Sequence, residues 1–316
     1  MLSIDQELIE AVLALPAERL AAPVFARDDW KGLRAFGKEA LALLESSLPE
    51  HSDVIRADHD VTSYDGVSIL CRWYTPPGHL TTAPGPAIVY LHGGGMITGS
   101  VALYDRTVAA YVADSGVPVL SVDYRLAPEH PHPTPVEDCL ASLTWLQSNT
   151  ELYVDPARIA VMGDSGGGGL AAATAVLARD RGVALAKQIL IYPMLDDRNT
   201  TPDQHLTAYA GWSYDDNYTG WHALLGDTIA TADVPATAAP ARAKDLTGVA
   251  DAYVEVGELD IFRDECIEYS RRLSASGVSS ELHVHPGCPH GFDRVSSDLG
   301  VAKRARSDRL RVIASL

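Results

Sequence analysis

Several short runs of this chain are apolar at every position, and that property restricts the fold more than any other. Ala87–Leu91 reads Ala-Ile-Val-Tyr-Leu, and Ile159–Met162 reads Ile-Ala-Val-Met. A strand of that kind cannot leave one face in water, so it belongs in a parallel sheet covered on both sides. Eight segments have strand character: Val54–Val61, Val67–Tyr74, Ala87–Leu91, Val117–Asp123, Arg158–Met162, Lys187–Tyr192, Ala252–Val256 and Glu281–His285. Helical repeats lie between them, such as Val136, Leu140, Leu143 and Leu146, or the run Leu170–Leu177. Strands alternating with helices predict an α/β protein with a mostly parallel sheet flanked by helices on both faces.

Two regions stand outside that rhythm. Residues 1–48 precede the first strand and repeat apolar positions at helical spacing, first at Leu8, Ile9, Val12 and Leu13, then at Leu33, Phe36, Ala40, Leu41 and Leu44. They read as cap helices ahead of the main α/β domain over 49–316. Residues from about 196 to 246 hold no convincing strand but do hold Tyr209, Trp212, Tyr214, Tyr218 and Trp221. An insertion of that length and aromatic content is expected to be a lid. The apolar stripe of Trp30, Leu33 and Phe36 is expected to pack against it and roof the site below.

Charge narrows the partners. The 316 residues carry 42 acidic and 25 basic side chains, a formal charge of −17. Such a field repels polyanions and argues against nucleic acid and anionic membranes. No apolar run approaches the roughly 20 residues that span a bilayer. Cys71, Cys139, Cys266 and Cys288 are far apart and form no CxxC pair. Buried free thiols are expected rather than disulfides or zinc ligands, and with an acidic N-terminus they point to the cytoplasm.

The strongest chemical signal is Gly163-Asp164-Ser165-Gly166-Gly167, a G-x-S-x-G sequence between a strand and a helix. A nucleophilic serine needs that setting: a sharp turn lifts its hydroxyl above the sheet, and glycines on either side leave room for the turn. Gly166-Gly167-Gly168-Gly169-Leu170-Ala171 also fits a dinucleotide fingerprint. Four glycines cost helix stability, about 1 kcal/mol each against alanine, so either a pyrophosphate or another stretch of backbone must approach them closely. His92-Gly93-Gly94-Gly95-Met96 supplies such a stretch directly after the strand Ala87–Leu91. Glycines there let backbone N–H groups reach the oxyanion that forms when a serine attacks an ester or amide. Gly94, Gly95 and Gly166 are the expected donors, or Gly93 if the loop is shifted by one residue.

These motifs occur together with Tyr124-Arg125-Leu126-Ala127-Pro128-Glu129, Gly257-Glu258-Leu259-Asp260, Arg263-Asp264-Glu265 and His290-Gly291-Phe292. In that order, over about residues 85–295, the chain resembles the hormone-sensitive-lipase family of α/β-hydrolases, which includes the bacterial family IV carboxylesterases. The resemblance implies an eight-stranded α/β-hydrolase sheet, a helical cap from the N-terminus and an insertion, and no cofactor. It also implies hydrolysis of short- to medium-chain acyl esters. Two positions depart from the family: Gly166 stands where alanine is usual, which is expected to loosen the turn slightly, and Ile261-Phe262 stand where proline and leucine are usual.

In such an enzyme the acid follows the serine at a strand end and the histidine comes last. Asp260, just past Ala252–Val256, is preferred over Glu258, a loop charge, and Asp264, a helix N-terminal carboxylate. His290 follows the strand Glu281–His285 and is the expected base. His283 and His285 share one face of that strand and read as solvated edge residues; with no third ligand evident, no metal is expected. His130 and His132 read as structural. Trp212, Tyr214 and Met96 are candidate substrate contacts, and the edge strand near His283 is a candidate homodimer contact. An amidase or deacetylase would use the same residues. A non-catalytic receptor on this fold would lack the histidine, and an oxidoreductase would leave Ser165 and the His92 loop without a role.

Overall fold

Each apolar run forms a strand. The computed structural model describes residues 2–14, 23–79 and 83–316. Its strands are β1 (Ile55–Thr62), β2 (Ser68–Thr75), β3 (Gly85–Leu91), β4 (Val119–Val122), β5 (Val154–Asp164), β6 (Lys187–Ile191), β7 (Asp251–Gly257) and β8 (Ser280–His285). They form one eight-stranded sheet ordered β1-β2-β4-β3-β5-β6-β7-β8. Strand β2 runs antiparallel to both β1 and β4, and every other pair is parallel. Every residue of β4, and the carboxyl halves of β3 and β5, are buried, as strands covered on two faces require.

The helices are α1 (Gln6–Leu13), α2 (Trp30–Ser47), α3 (Asp105–Ser115), α4 (Thr134–Ser148), α5 (Gly166–Asp180), α6 (Tyr214–Leu225), α7 (Arg263–Ala275) and α8 (Gly300–Ile313). Helix α5 packs on α4 and on β5 and β6, while α3 packs on α8. Every residue of α5 from Gly166 to Ala178 is buried, and its glycines and alanines let it lie close to the sheet. A Cβ at Gly167 would fall 2.1 Å from the Leu91 carbonyl oxygen, and one at Gly169 the same distance from that of Met194. The chain's own backbone fills the space that a dinucleotide pyrophosphate would need.

Two expectations change. The helical reading of residues 1–48 divides into α1 and α2, with 15–22 outside the described residues. On α2, Leu33 is buried, but Phe36 is 38% exposed and meets Phe25, with ring centroids 5.8 Å apart. Polar groups ahead of the helix also join α6: Arg27 pairs with Asp215 at 2.6 Å, and the Asp28 N–H donates to Thr219 at 3.0 Å. Helix α2 thus packs on α6 of the aromatic insertion, and within the stripe it is Phe36 that departs from the expectation. In β8, His285 is buried and Val284 exposed, the reverse of the solvated-histidine expectation. The reason is α8, whose Asp308 and Arg309 bring charge over that face: Asp308 lies 3.8 Å from His283, and Arg309 pairs with Glu255, itself 3.5 Å from His285.

Candidate active site

Ser165 sits where β5 gives way to α5, at φ 55° and ψ −122°. A non-glycine residue holds that conformation only when its surroundings enforce it. Here its N–H donates to the Ile191 carbonyl at 2.9 Å, and its own carbonyl accepts from Gly169 and Met194, both at 3.0 Å. The turn is fastened to β6 and to the segment after it. The hydroxyl points to His290, with Oγ 3.0 Å from Nε2. On the far side of the ring, Nδ1 lies 2.7 Å from Asp260 Oδ2. Asp260 is fully buried, and its other oxygen accepts from the Phe262 N–H at 3.0 Å. A carboxylate beside Nδ1 holds the imidazole proton there and leaves Nε2 free to accept from serine.

The competing residues lie elsewhere. Glu258 accepts from the Gly287 N–H at 2.9 Å, and Asp264 is exposed beside Arg263. His132 contacts Thr237, and burial pushes its pKa down. The four cysteines are free and buried. Glu281, His283 and Asp308 do bring three ligand-type atoms within 4.8 Å of one another, so a third ligand exists that the sequence did not reveal. The Arg311 guanidinium, however, already holds Glu281.

Gly166 has a local reason to be glycine. A Cβ there would fall 2.8 Å from the Gly95 nitrogen and 2.9 Å from that of Met96. The glycine loop thus lies against the start of α5, and rather than loosening the turn, Gly166 admits the loop. Neither Gly94 nor Gly95 donates its N–H to another group among the described residues, and Gly166 opens a helix, where N–H groups have no intrahelical acceptor. Gly93 likewise donates its N–H to no group among the described residues, and a Cβ there would fall 2.5 Å from Asp164 and 2.7 Å from the Tyr104 hydroxyl. His92 is buried and stacked on Tyr124 with centroids 4.2 Å apart, and burial pushes its pKa down.

The candidate substrate contacts separate. The Trp212 ring closes on Gly95: a Cβ at Gly95 would be 2.7 Å from its edge. Met96 is buried, and its carbonyl accepts from the Ala127 N–H at 3.0 Å. Tyr214 lines a different cavity of about 350 Å³, with Asp203, Asp264 and Glu265, that none of Ser165, Asp260 and His290 borders.

Sequence reasoning missed several neighbours of the histidine. Phe262 meets the His290 ring edge-on at 5.1 Å and Tyr192 at 4.9 Å, so the imidazole is held between two aromatic rings. The Tyr192 hydroxyl donates to Asp293 at 3.0 Å, and Asp293 is held in turn by Arg309. Burial works against ionisation of Asp293, but the Arg309 charge keeps its carboxyl below the usual range. Beneath the serine, Asp164 accepts from Tyr90 at 2.8 Å and Tyr104 at 2.9 Å and pairs with Arg294 at 3.2 Å. Asp164 was visible only as the variable position of G-x-S-x-G.

Comparison with known proteins gives the family. Residues 88–294 match the family described as alpha/beta hydrolase fold. The chain is 38% identical over 250 residues to the carboxylesterase NlhH of Mycobacterium tuberculosis, covering 77% of each. It is 32% identical over 302 residues to an ethyl acetate hydrolase of Pseudomonas putida, covering 94% of each. Among solved structures, a bacterial heroin esterase superposes with a TM-score of 0.87 at 36% identity, over 99% of this chain and 98% of that one. By that family match and by these esterase relatives, the chain belongs to the hormone-sensitive-lipase-like, family IV branch of the α/β-hydrolases and is a carboxylic ester hydrolase.

Proposed function

We propose that Ser165 is the nucleophile of this esterase, His290 its general base and acid, and Asp260 the residue that orients His290. The observation that carries this reading is the unbroken contact from Ser165 Oγ through the imidazole to the buried Asp260. In the first step Oγ attacks the ester carbonyl as Nε2 takes its proton, and the imidazolium then protonates the leaving alcohol. Asp260 stabilises the imidazolium while it lasts. Gly94, Gly95 and Gly166 donate to the oxyanion. Water activated by His290 then releases the acid from the acyl-enzyme.

Short acyl chains are the preferred substrates in this reading. Trp212 closes on the oxyanion loop at Gly95, and one relative is named for ethyl acetate. Helices α1 and α2 and the insertion at about 196–246 cover the site as a cap. The four buried thiols favour the cytoplasm, and among the described residues no helix is long and apolar enough to cross a membrane. Strand β8 ends the sheet with Val284 exposed, which favours pairing with a second copy there; light scattering of wild type against Val284→Lys tests it.

The decisive experiment is a panel of activated esters from acetyl to palmitoyl with matching anilides. It is run on wild type, Ser165→Ala and Trp212→Ala. Wild type should turn over the short esters and be labelled covalently by an organophosphate, and Ser165→Ala should do neither. Trp212→Ala should move the optimum to longer chains. Labelling that persists without Ser165 would refute the nucleophile.

A further inference from the structure

The loop that carries His290 joins β8 to α8, and three contacts from the N-terminal segment reach its two ends and the structure beside it. At its start, the Asp5 N–H donates to the Gly287 carbonyl at 2.9 Å, and a Cβ on Gly287 would lie 2.6 Å from the Asp5 nitrogen. At its end, Glu7 accepts from the N–H of Gly300, the first residue of α8, at 2.7 Å. In between, Arg294 lies four residues after His290, and its guanidinium is 3.4 Å from Glu45.

These contacts fill vacant positions in the fold. Helices α3 and α8 begin after Tyr104 and Leu299, neither of which caps its helix. The missing acceptors come from the N-terminal segment instead. Glu7 serves α8, and Glu45 serves α3 by accepting from the N–H groups of Arg106 at 2.9 Å and Thr107 at 3.1 Å, as well as from the Thr107 hydroxyl. Glu45 is buried, and burial raises its carboxyl above the usual range although Thr107, Arg294 and the α3 N–H groups work to lower it; its ionised form faces Arg294 with little screening by water. Arg294 spends its other arm on Asp164, the residue before Ser165. One buried chain of charges therefore runs from helix α2 through the histidine loop to the serine turn. Beside it lies a cavity of about 280 Å³ bordered by Leu44, Leu48, Asp164, Tyr192, Asp293 and Arg294, so close packing alone does not fix the loop there.

The geometry points to a second role for the N-terminal segment: Asp5, Glu7 and Glu45 position the general base, with Glu45 acting through Arg294 to hold His290 against Ser165. The inference rests on the proposed roles of Ser165 and His290. It assigns to Asp5, Glu7 and Glu45 an effect on the chemical step, distinct from roofing the pocket, since none of the three contacts involves the aromatic insertion.

Glu45→Gln isolates the effect, because the amide oxygen can still cap α3 while the charge facing Arg294 is gone. Activity is expressed per serine titrated with an organophosphate, so unfolded protein does not count. The expected result is a fall in kcat of about tenfold with KM within about twofold of wild type, as a misplaced base slows chemistry without weakening binding. Glu7→Gln changes an exposed side chain and folds whatever happens at position 45; it should lower kcat about threefold. Glu10→Gln, whose side chain accepts from Gln6 and bonds no residue of the histidine loop among the described residues, is the control and should change nothing. A lower melting temperature with kcat per titrated site unchanged in both test variants would overturn the inference and leave the segment a structural cap. If wild type is neither labelled nor active on any ester, the proposed triad fails first, and that failure is separate.

Discussion

The serine turn and the histidine loop meet across 3.0 Å, yet they are held in opposite ways. Ser165 is fixed by its own neighbourhood: backbone bonds to Ile191, Gly169 and Met194, and glycines that bring α5 against Leu91 and the glycine loop. His290 is fixed from a distance. Its loop depends on Tyr192 and Phe262 beside the ring, on Arg309 and Asp293 behind it, and on Asp5, Glu7 and Glu45 from the other end of the chain. A nucleophile built into a strand-to-helix turn can be specified by a few adjacent residues. A base on a long loop needs the tertiary fold to complete it, and its placement should be the easier of the two to disturb without unfolding the protein.

The largest effect expected from breaking this arrangement is at Asp260, whose buried carboxylate meets His290 and which is proposed as the acid. Asp260→Asn should keep the fold but favour the wrong imidazole tautomer, lowering kcat by about four orders of magnitude. Asp264→Asn, on an exposed carboxylate beside Arg263, should stay within about twofold of wild type, since substitutions away from a site rarely matter. Steady-state turnover of one activated acetyl ester decides between them, and the reverse ranking would mean that Asp264 is the acid.

Next comes the support behind the histidine. Arg309 is buried between Glu255 and Asp293. Arg309→Met would leave two buried carboxylates without their cation, a loss of about 3–5 kcal/mol. The pH dependence should also change sign. In wild type, burial raises both carboxyls, but Arg309, with His285 beside Glu255 and with Arg294 and Tyr192 beside Asp293, holds them below their usual range. Their contribution is therefore full above about pH 4.5 and lost as pH falls through the depressed folded values. Without Arg309 burial prevails, the folded state binds protons more readily than the unfolded one, and the variant should gain stability as pH drops from 7 toward 5. Thermal melts across that range measure it, and parallel curves for the two proteins would show that Arg309 does not govern these groups.

What the sequence revealed follows the same division. The eight strands were legible because continuous apolar runs have few other homes, and the turn at Ser165 because it is written in adjacent residues. That His290 and Asp260 would meet it could be read only from the order of motifs along the chain. The faces of β8 were misassigned because alternation cannot say which side a helix will cover, and here α8 lays Arg309 and Asp308 over the histidines. Phe36 was misjudged because a helical stripe does not show how far its partner extends. Glu7 and Glu45 left a faint signal that went unread: α3 and α8 begin after Tyr104 and Leu299, residues that cannot cap, so acceptors had to come from elsewhere.

A smaller effect sharpens the account of the serine turn. Gly167→Ala would push a methyl group to within 2.1 Å of the Leu91 carbonyl, where backbone must move to admit it. Overpacking of this kind costs about 1–3 kcal/mol. Because the strand that yields also leads into the glycine loop, both stability and kcat per titrated serine should fall together. The paired readout distinguishes this turn from the histidine loop, where Glu45→Gln should lower kcat far more than the melting temperature.

The smallest effect tests whether helix α2 acts as a roof or as a clamp. Leu33 and Phe36 lie one turn apart on that helix, but Leu33 is buried while Phe36 is 38% exposed and rests on Phe25. If α2 served mainly to wall the acyl pocket through its apolar stripe, Phe36→Ser would open that wall and change the preference among acetyl, butyryl and longer esters. If α2 serves through Glu45 and Arg34, whose guanidinium binds Glu129 and the carbonyls of Ile97 and Ala127, Phe36 contributes only a partly solvated contact. Phe36→Ser should then alter stability by no more than about 0.5 kcal/mol. Relative kcat/KM across the ester series should also remain that of wild type. A measured shift toward longer chains in this variant would restore the roof and weaken the case that the N-terminal helix works through the base.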